Sequence, residues 1–252
     1  MLSVLRQPRW VLLALLAISM SVLFVFLGRW QWHRHEDRRE RNAAISAALA
    51  SPPVAINDVV PDGASVTSEE EFRIVELTGS YDAEHQVLER NPNGRSGFAV
   101  VTPLVTDDGL ALLVNRGWTP ASTTNVNTPE IDVSPPTGDV DVVIRLRVAE
   151  DADDRTAPEG QIYSIDPAEI AQSLPYPIYN GYGELVDQDP PPSTDLELPE
   201  TDLPGMGPHL FYAYQWWIFA IIAIGGFFVL ARRETQVDES PTADKVNAPG
   251  AT

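Results

Sequence analysis

Residues Trp10–Leu27 read WVLLALLAISMSVLFVFL, and residues Leu210–Ala231 read LFYAYQWWIFAIIAIGGFFVLA; neither run contains a charge. As helices they are about 27 Å and about 33 Å long, the thickness of a bilayer's hydrocarbon core. The outer turn of the second run holds Phe211, Tyr212, Tyr214, Trp216 and Trp217, residue types that favour the membrane–water boundary. Arg232 and Arg233 then end it. A cleaved signal peptide is the competing reading of the first run. That run is long for one, and it ends Phe-Leu-Gly-Arg-Trp without a small-x-small cleavage site. A buried core helix is the competing reading of the second, and 22 uncharged residues argue against it.

Two spans put both termini on one side and residues 28–208 on the other. No Arg or Lys lies between Arg155 and the second run, whereas Arg232 and Arg233 follow it. The positive-inside rule therefore puts the termini in the cytoplasm and the central part outside. Arg29, Arg34, Arg38, Arg39 and Arg41 pull the other way after the first run. Parity and the second run decide the matter, since long domains cross largely regardless of charge.

The chain has 252 residues and a formal net charge of −19. Residues 42–208 hold seven arginines against 29 acids, so the acidity is central. Such a charge excludes nucleic acid as a partner, which needs a basic footprint. The chain has no cysteine, which removes disulfide scaffolds, cysteine–zinc sites, iron–sulfur ligation and thiol nucleophiles.

Residues 28–50 carry the first helix onward as a polar juxtamembrane helix. Period two then takes over. Strands are expected at Arg73–Leu77, Gln86–Arg90, Phe98–Leu104 (ending at Pro103) and Leu110–Arg116, with a hairpin turn at Asp107-Asp-Gly109. The clearest is Asp139–Val148, where Val140, Val142, Ile144, Leu146 and Val148 alternate with a wet face that includes Arg145 and Arg147. Asp166-Pro-Ala-Glu169 opens a short helix with Asp as N-cap and Pro first. Tyr176–Val186 offers a last strand or hairpin. The expected fold class is an α+β membrane protein. Its parts are an N-terminus at 1–9, spans at 10–27 and 209–231, the juxtamembrane helix at 28–50, and a mainly antiparallel extracytoplasmic β domain at 51–186. An acidic, proline-rich tether follows at 187–208, and a disordered tail at 232–252.

His33 and His35 lie two apart, so on a helix they diverge and cannot share one ion. His85 lies in a polar turn. His209 stands at the mouth of the second run, where an ionisable group is a functional candidate. Ala213, Trp216 and Ala220 share its helical stripe, with Tyr212 beside it. Small residues beside a histidine leave a slot, and neutral imidazole ligates haem; an interfacial histidine that merely caps the helix is the alternative. Arg116, in Val114-Asn-Arg-Gly-Trp118, either binds an anion or pairs with a nearby carboxylate. No G-x-S-x-G, H-E-x-x-H, P-loop or G-x-G-x-x-G motif occurs.

Leu27-Gly28-x-Trp30-Gln31-x-x-Arg34 resembles the opening motif of the surfeit-locus-one (Shy1) family of cytochrome c oxidase assembly factors. Gly79-x-Tyr81, Arg90, Gly97 and Thr102-Pro-Leu104 follow in that family's order. Leu113-Val-Asn-Arg-Gly-Trp-Thr-Pro120 resembles its most recognisable block, and His209-Leu-x-Tyr-Ala213-x-Gln215-Trp216 the start of its second span. The chain departs from the family in lacking a second glycine after Gly138. It also has Gly205-Met-Gly-Pro208 where asparagines often precede the histidine, and a long tether, which suggests a divergent bacterial branch. The resemblance implies a multi-pass plasma-membrane assembly factor for the haem a–copper oxidase, not an enzyme. It implies haem a as cofactor, with oxidase subunit I, the haem a synthesis machinery and membrane lipid as partners. By position His209 is then the axial ligand of the haem iron, and Trp30, Gln31, Tyr212, Ala213 and Trp216 complete a site between the spans, with either Met206 or an open position as the second axial site. A haem-free scaffold that stabilises an oxidase intermediate is the alternative, and a membrane-anchored extracytoplasmic enzyme a further one.

Overall fold

A computed structural model describes residues 7–61, 63–192, 196–200, 203 and 205–238, with Val237 and Asp238 described by backbone alone. The first six residues and the part of the expected tail beyond 238 lie outside the described residues. The chain divides into two compact units, one of residues 1–42 with 204–252, the other of residues 43–203.

The first unit contains two helices long and apolar enough to cross a membrane. Helix α1 spans Pro8–Leu49 without a break. The last helix, α4, spans His209–Asp238. The helix therefore runs on past Ala231, where the apolar run ends, because charged residues such as Arg232, Arg233 and Glu234 end apolarity without disfavouring helix. The two helices run antiparallel. Arg9 meets Glu234 at 2.6 Å, the Trp10 ring meets Phe227 at 6.0 Å, and Ser21 Oγ donates to Ala220 O at 3.1 Å.

The second unit is a mixed sheet. Its strands are β1 (Val54–Ala55), β2 (Ile74–Tyr81), β3 (Val87–Arg90), β4 (Phe98–Val105), β5 (Ala111–Thr119), β6 (Asp139–Arg147), β7 (Gln161–Ile162) and β8 (Ile178–Asp189). Two four-residue helices, α2 (Ile56–Val59) and α3 (Pro167–Ile170), interrupt them. The sheet order is β1-β2-β6-β8-β5-β4-β3-β7, and a further pairing of β2 with β4 joins Ser80 to Val105 and Tyr81 to Leu104. That short pairing closes β2, β6, β8, β5 and β4 into a barrel. Inward side chains alternate around it: Val75 and Leu77 from β2, Leu112 and Val114 from β5, Val140, Val142, Ile144 and Leu146 from β6, and Leu185 from β8. Outside, Val101, Leu113 and Tyr182 pack under Ile165 and Ile170 of the α3 region. Asp166 caps α3 by accepting from the Ala168 amide at 2.9 Å.

Four features differ from the sequence reading. Most pairings are antiparallel, but β5 and β8 run parallel at the centre. A parallel neighbour requires a crossover, and β6 with α3 supplies it. Pro103 lies inside β4 and does not end it. Its carbonyl, accepting from Asp82 N at 2.9 Å, faces the edge where β4 passes from β3 to β2, so the missing N–H falls in the gap between those partners. Arg145 is buried, not wet. It stands opposite Glu184 in register and pairs with it at 2.6 Å, and its Nη2 donates to Pro199 O at 3.0 Å. Finally, residues 187–208 are not a free tether throughout. Strand β8 extends to Asp189, and Glu197 exchanges backbone hydrogen bonds with Trp118 at 2.7 and 2.9 Å. Gly117, at φ 135°, permits this approach: a Cβ there would lie 2.8 Å from Glu197 O. Proline removes donors, so this docking shows as one bridge and leaves no alternating pattern.

Candidate functional site

On α1, Phe24, Gly28, Gln31, Arg38 and Asn42 recur at three-, four- and seven-residue steps and face α4 with the turn before it. Gly28 is the seat of Trp217: a Cβ at residue 28 would come within 2.2 Å of Trp217 Nε1. Phe24 stacks on Trp216 with centroids 5.6 Å apart. Ala213 is fully buried and Ala220 nearly so. The small residues of the stripe therefore let the helices approach closely; the expected slot between them is closed by packing.

One polar contact stands at the outer end of this seam. His209 Nδ1 lies 2.8 Å from Gln31 Oε1. An amide oxygen only accepts, so Nδ1 carries the proton and donates it. In the neutral ring Nε2 is then the bare nitrogen, with its lone pair available to an electrophile. Nε2 makes no hydrogen bond among the described residues. The approach to it is set by the turn before α4. Arg38 Nη1 donates to Gly205 O at 2.5 Å, and Asn42 Nδ2 donates to Met206 Sδ at 3.6 Å.

Of the six residues expected at the site, the structure brings Gln31 and His209 into contact. Ala213 and Trp216 lie in the seam below them. Trp30 is exposed on another side of α1, with the Arg34 guanidinium 5.5 Å over its ring. Tyr212 is partly exposed and meets Phe211 edge-on at 6.2 Å. Among the described residues no three His, Asp or Glu side chains converge on one point. For haem the fit is mixed. The donor is right, with its tautomer fixed by a neighbouring acceptor as in metal sites generally. The exposed faces of Phe211 and Tyr212 offer apolar surface within a turn of His209. The space between the helices offers no room, so a macrocycle would lie on the open side of His209. Met206 sulfur is already engaged by Asn42.

In the β unit, buried charge gathers in two places. Glu184 accepts from Arg145 and from Arg147 at 2.9 Å, while Tyr182 OH donates to Glu150 at 3.0 Å. Glu89, also buried, is pushed up to about 8 by burial, with repulsion from Glu150 and Glu184 adding to it. Arg116 is 1% exposed and pairs with no carboxylate among the described residues. Its Nη1 donates to Gln86 Oε1 at 3.1 Å and Val133 O at 2.9 Å, and its Nη2 to Ser134 O at 3.3 Å. Both expectations for Arg116 thus give way to a third: it is a cross-brace tying the loop after β5 to the barrel. Burial pulls its guanidinium below the usual range and pushes Tyr81, 5.2 Å from it, up to about 12.

The period of α1 was the available signal for Gly28 and Arg38. Trp217 as the filler of Gly28 had none, because an interfacial tryptophan reads alike whether it faces lipid or a partner helix.

A family model described as the SURF1 family matches residues 18–221. A SURF1-like protein of Mycobacterium tuberculosis is 31% identical over 97% of this chain and 93% of its own. The cytochrome oxidase assembly protein SHY1 of Saccharomyces cerevisiae is 32% identical over 41% of this chain and 27% of its own. Surfeit locus protein 1 of Takifugu rubripes is 29% identical over 44% and 50% respectively.

Proposed function

The chain belongs to the SURF1 family, and from that premise we propose that it is a membrane-bound assembly factor for a haem–copper terminal oxidase that takes haem a on His209 and aids its delivery to subunit I. The yeast relative is named for cytochrome oxidase assembly. The observation that carries the haem part is the Gln31–His209 hydrogen bond. It leaves Nε2 as the bare nitrogen that can ligate iron, at the end of two apolar helices where a lipophilic macrocycle partitions. Haem is cargo here, and bound haem contributes the iron that accepts the Nε2 lone pair. The chain's own residues hold and orient: Gln31 fixes the imidazole, and Phe211 and Tyr212, within a turn of His209, supply apolar surface. The proposed role is assembly, not catalysis.

The proposed location is the bacterial plasma membrane, with the β unit outside and both termini inside. Arg232 and Arg233 after the apolar run of α4 support this orientation. Reporters fused at Gly109 and after Thr252 give opposite signals on this topology, and a cytoplasmic signal from Gly109 reverses it.

The haem reading is tested by the absorption spectrum of the protein co-expressed with a haem a pathway. Gln31→Leu leaves Nδ1–H without its acceptor and is expected to weaken haem binding about 10- to 100-fold, the usual effect of losing a ligand's orienting partner. Gln31→Glu keeps an acceptor and restores binding. If Gln31→Leu titrates with haem like the parent, Gln31 does not position the ligand. A protein that purifies without any haem spectrum, yet supports oxidase assembly, is a haem-free scaffold.

A further inference from the structure

Beside the His209 seam lies a second feature of the helix pair, a groove of about 440 Å³ lined by Val25, Arg29, Trp32, His33, Glu36 and Trp217. Positions 25, 29, 32, 33 and 36 share one side of α1. Arg29 follows the end of the apolar run, Leu27, by two positions. It makes no hydrogen bond or ion pair among the described residues. Glu36 stands two turns further along, about 10 Å up the axis. Its carboxylate approaches His33 Nδ1 at 3.5 Å, and both side chains stay about half exposed. The indoles of Trp32 and Trp217, with centroids 5.9 Å apart, form the wall between the two charges.

The order of these groups is that of a lipid head. In a phospholipid the phosphate lies next to the hydrocarbon and an amine lies farther out. Here a free guanidinium lies next to the apolar run and a carboxylate lies farther out. We propose that this groove binds the head of a phosphatidylethanolamine. Its phosphate is gripped by Arg29, its ammonium by Glu36 with the Trp32 ring beside it, and its acyl chain follows Val25 down the helix. A free phosphate would satisfy Arg29 alone. A phosphatidylglycerol head would bring no cation to Glu36. The proposal rests on the reading of α1 and α4 as membrane spans.

The test uses the full-length protein in mild detergent, incubated with equal amounts of phosphatidylethanolamine and phosphatidylglycerol, with retained lipid counted by native mass spectrometry. The parent is expected to retain phosphatidylethanolamine about fivefold over phosphatidylglycerol, the effect of one interfacial charge contact. Arg29→Gln is expected to lose both lipids. Glu36→Gln is expected to keep lipid but erase the preference. Equal retention of the two lipids by the parent, unchanged retention by both variants, or displacement of the lipid by millimolar inorganic phosphate overturns the proposal. An alkaline wash of cell membranes separates the two levels. A chain that washes off was never a membrane span, whereas a chain that stays but shows no lipid preference sinks the groove alone.

Discussion

Arg116→Ala is expected to destabilise the β unit by about 3–5 kcal/mol. The residue is fully buried, and its guanidinium is the donor to three oxygens, those of Gln86, Val133 and Ser134. Truncation leaves a cavity and removes the donor from the buried Val133 carbonyl and from two part-buried oxygens. No carboxylate is left stranded, so the loss comes from unpaired carbonyls and missing volume and not from an orphaned charge. For a unit of this size the melting temperature should fall by about 6–20 °C, read by circular dichroism on the full-length protein. Arg116→Lys keeps the charge but not the fork of donors, and should fall between parent and Ala. A melting point within two or three degrees of the parent's for Arg116→Ala would show that the loop after β5 needs no brace.

The second large effect is on the haem spectrum of His209→Ala. The ring contributes one hydrogen bond, to Gln31, at the outer end of the seam. The helix pair itself is held lower down by Gly28 with Trp217, by Phe24 with Trp216 and by Ser21 with Ala220. The variant should therefore insert and accumulate as the parent does. Its haem a spectrum should vanish or weaken by two orders of magnitude, because the iron loses its fixed ligand and the macrocycle keeps only dispersion contacts. Oxidase activity in the host should fall with no change in the amount of this protein. His209→Met should bind partially, with a shifted spectrum. Should His209→Ala hold haem a as tightly as the parent, the ligand is another residue and the scaffold role becomes the better account.

The two apolar helices were legible in the sequence because a span needs nothing more than uncharged length. The strands were legible where one face meets a core: Val140, Val142, Ile144 and Leu146 alternate as read and line the barrel. What escaped depends on partners far away in the chain. Barrel closure rests on two residue pairs between β2 and β4, too little to mark either sequence. The parallel placement of β8 against β5 is a matter of topology, which period two does not encode. Arg145 reads as a wet residue until Glu184 and Pro199 stand over it. The Gln31–His209 contact lies between: both residues were singled out, one from each helix, but only the antiparallel register makes them neighbours. The same register puts Trp30 elsewhere.

The position of β8 sets a timetable for the chain's own synthesis. This strand lies between β5 and β6, yet it is the last of the eight to leave the ribosome. Until residue 189 has emerged, β5 and β6 each lack a neighbour, and the barrel stands open along its length. A nascent chain halted before Ile178 would expose two unpaired edges rich in valine and leucine, the kind of surface that invites aggregation. The same arrangement makes closure a late, long-range event, and such pairings form slowly. On the proposed topology, in which this domain is threaded through a translocation channel, the delay is an advantage: the chain stays pliable until its last strand arrives.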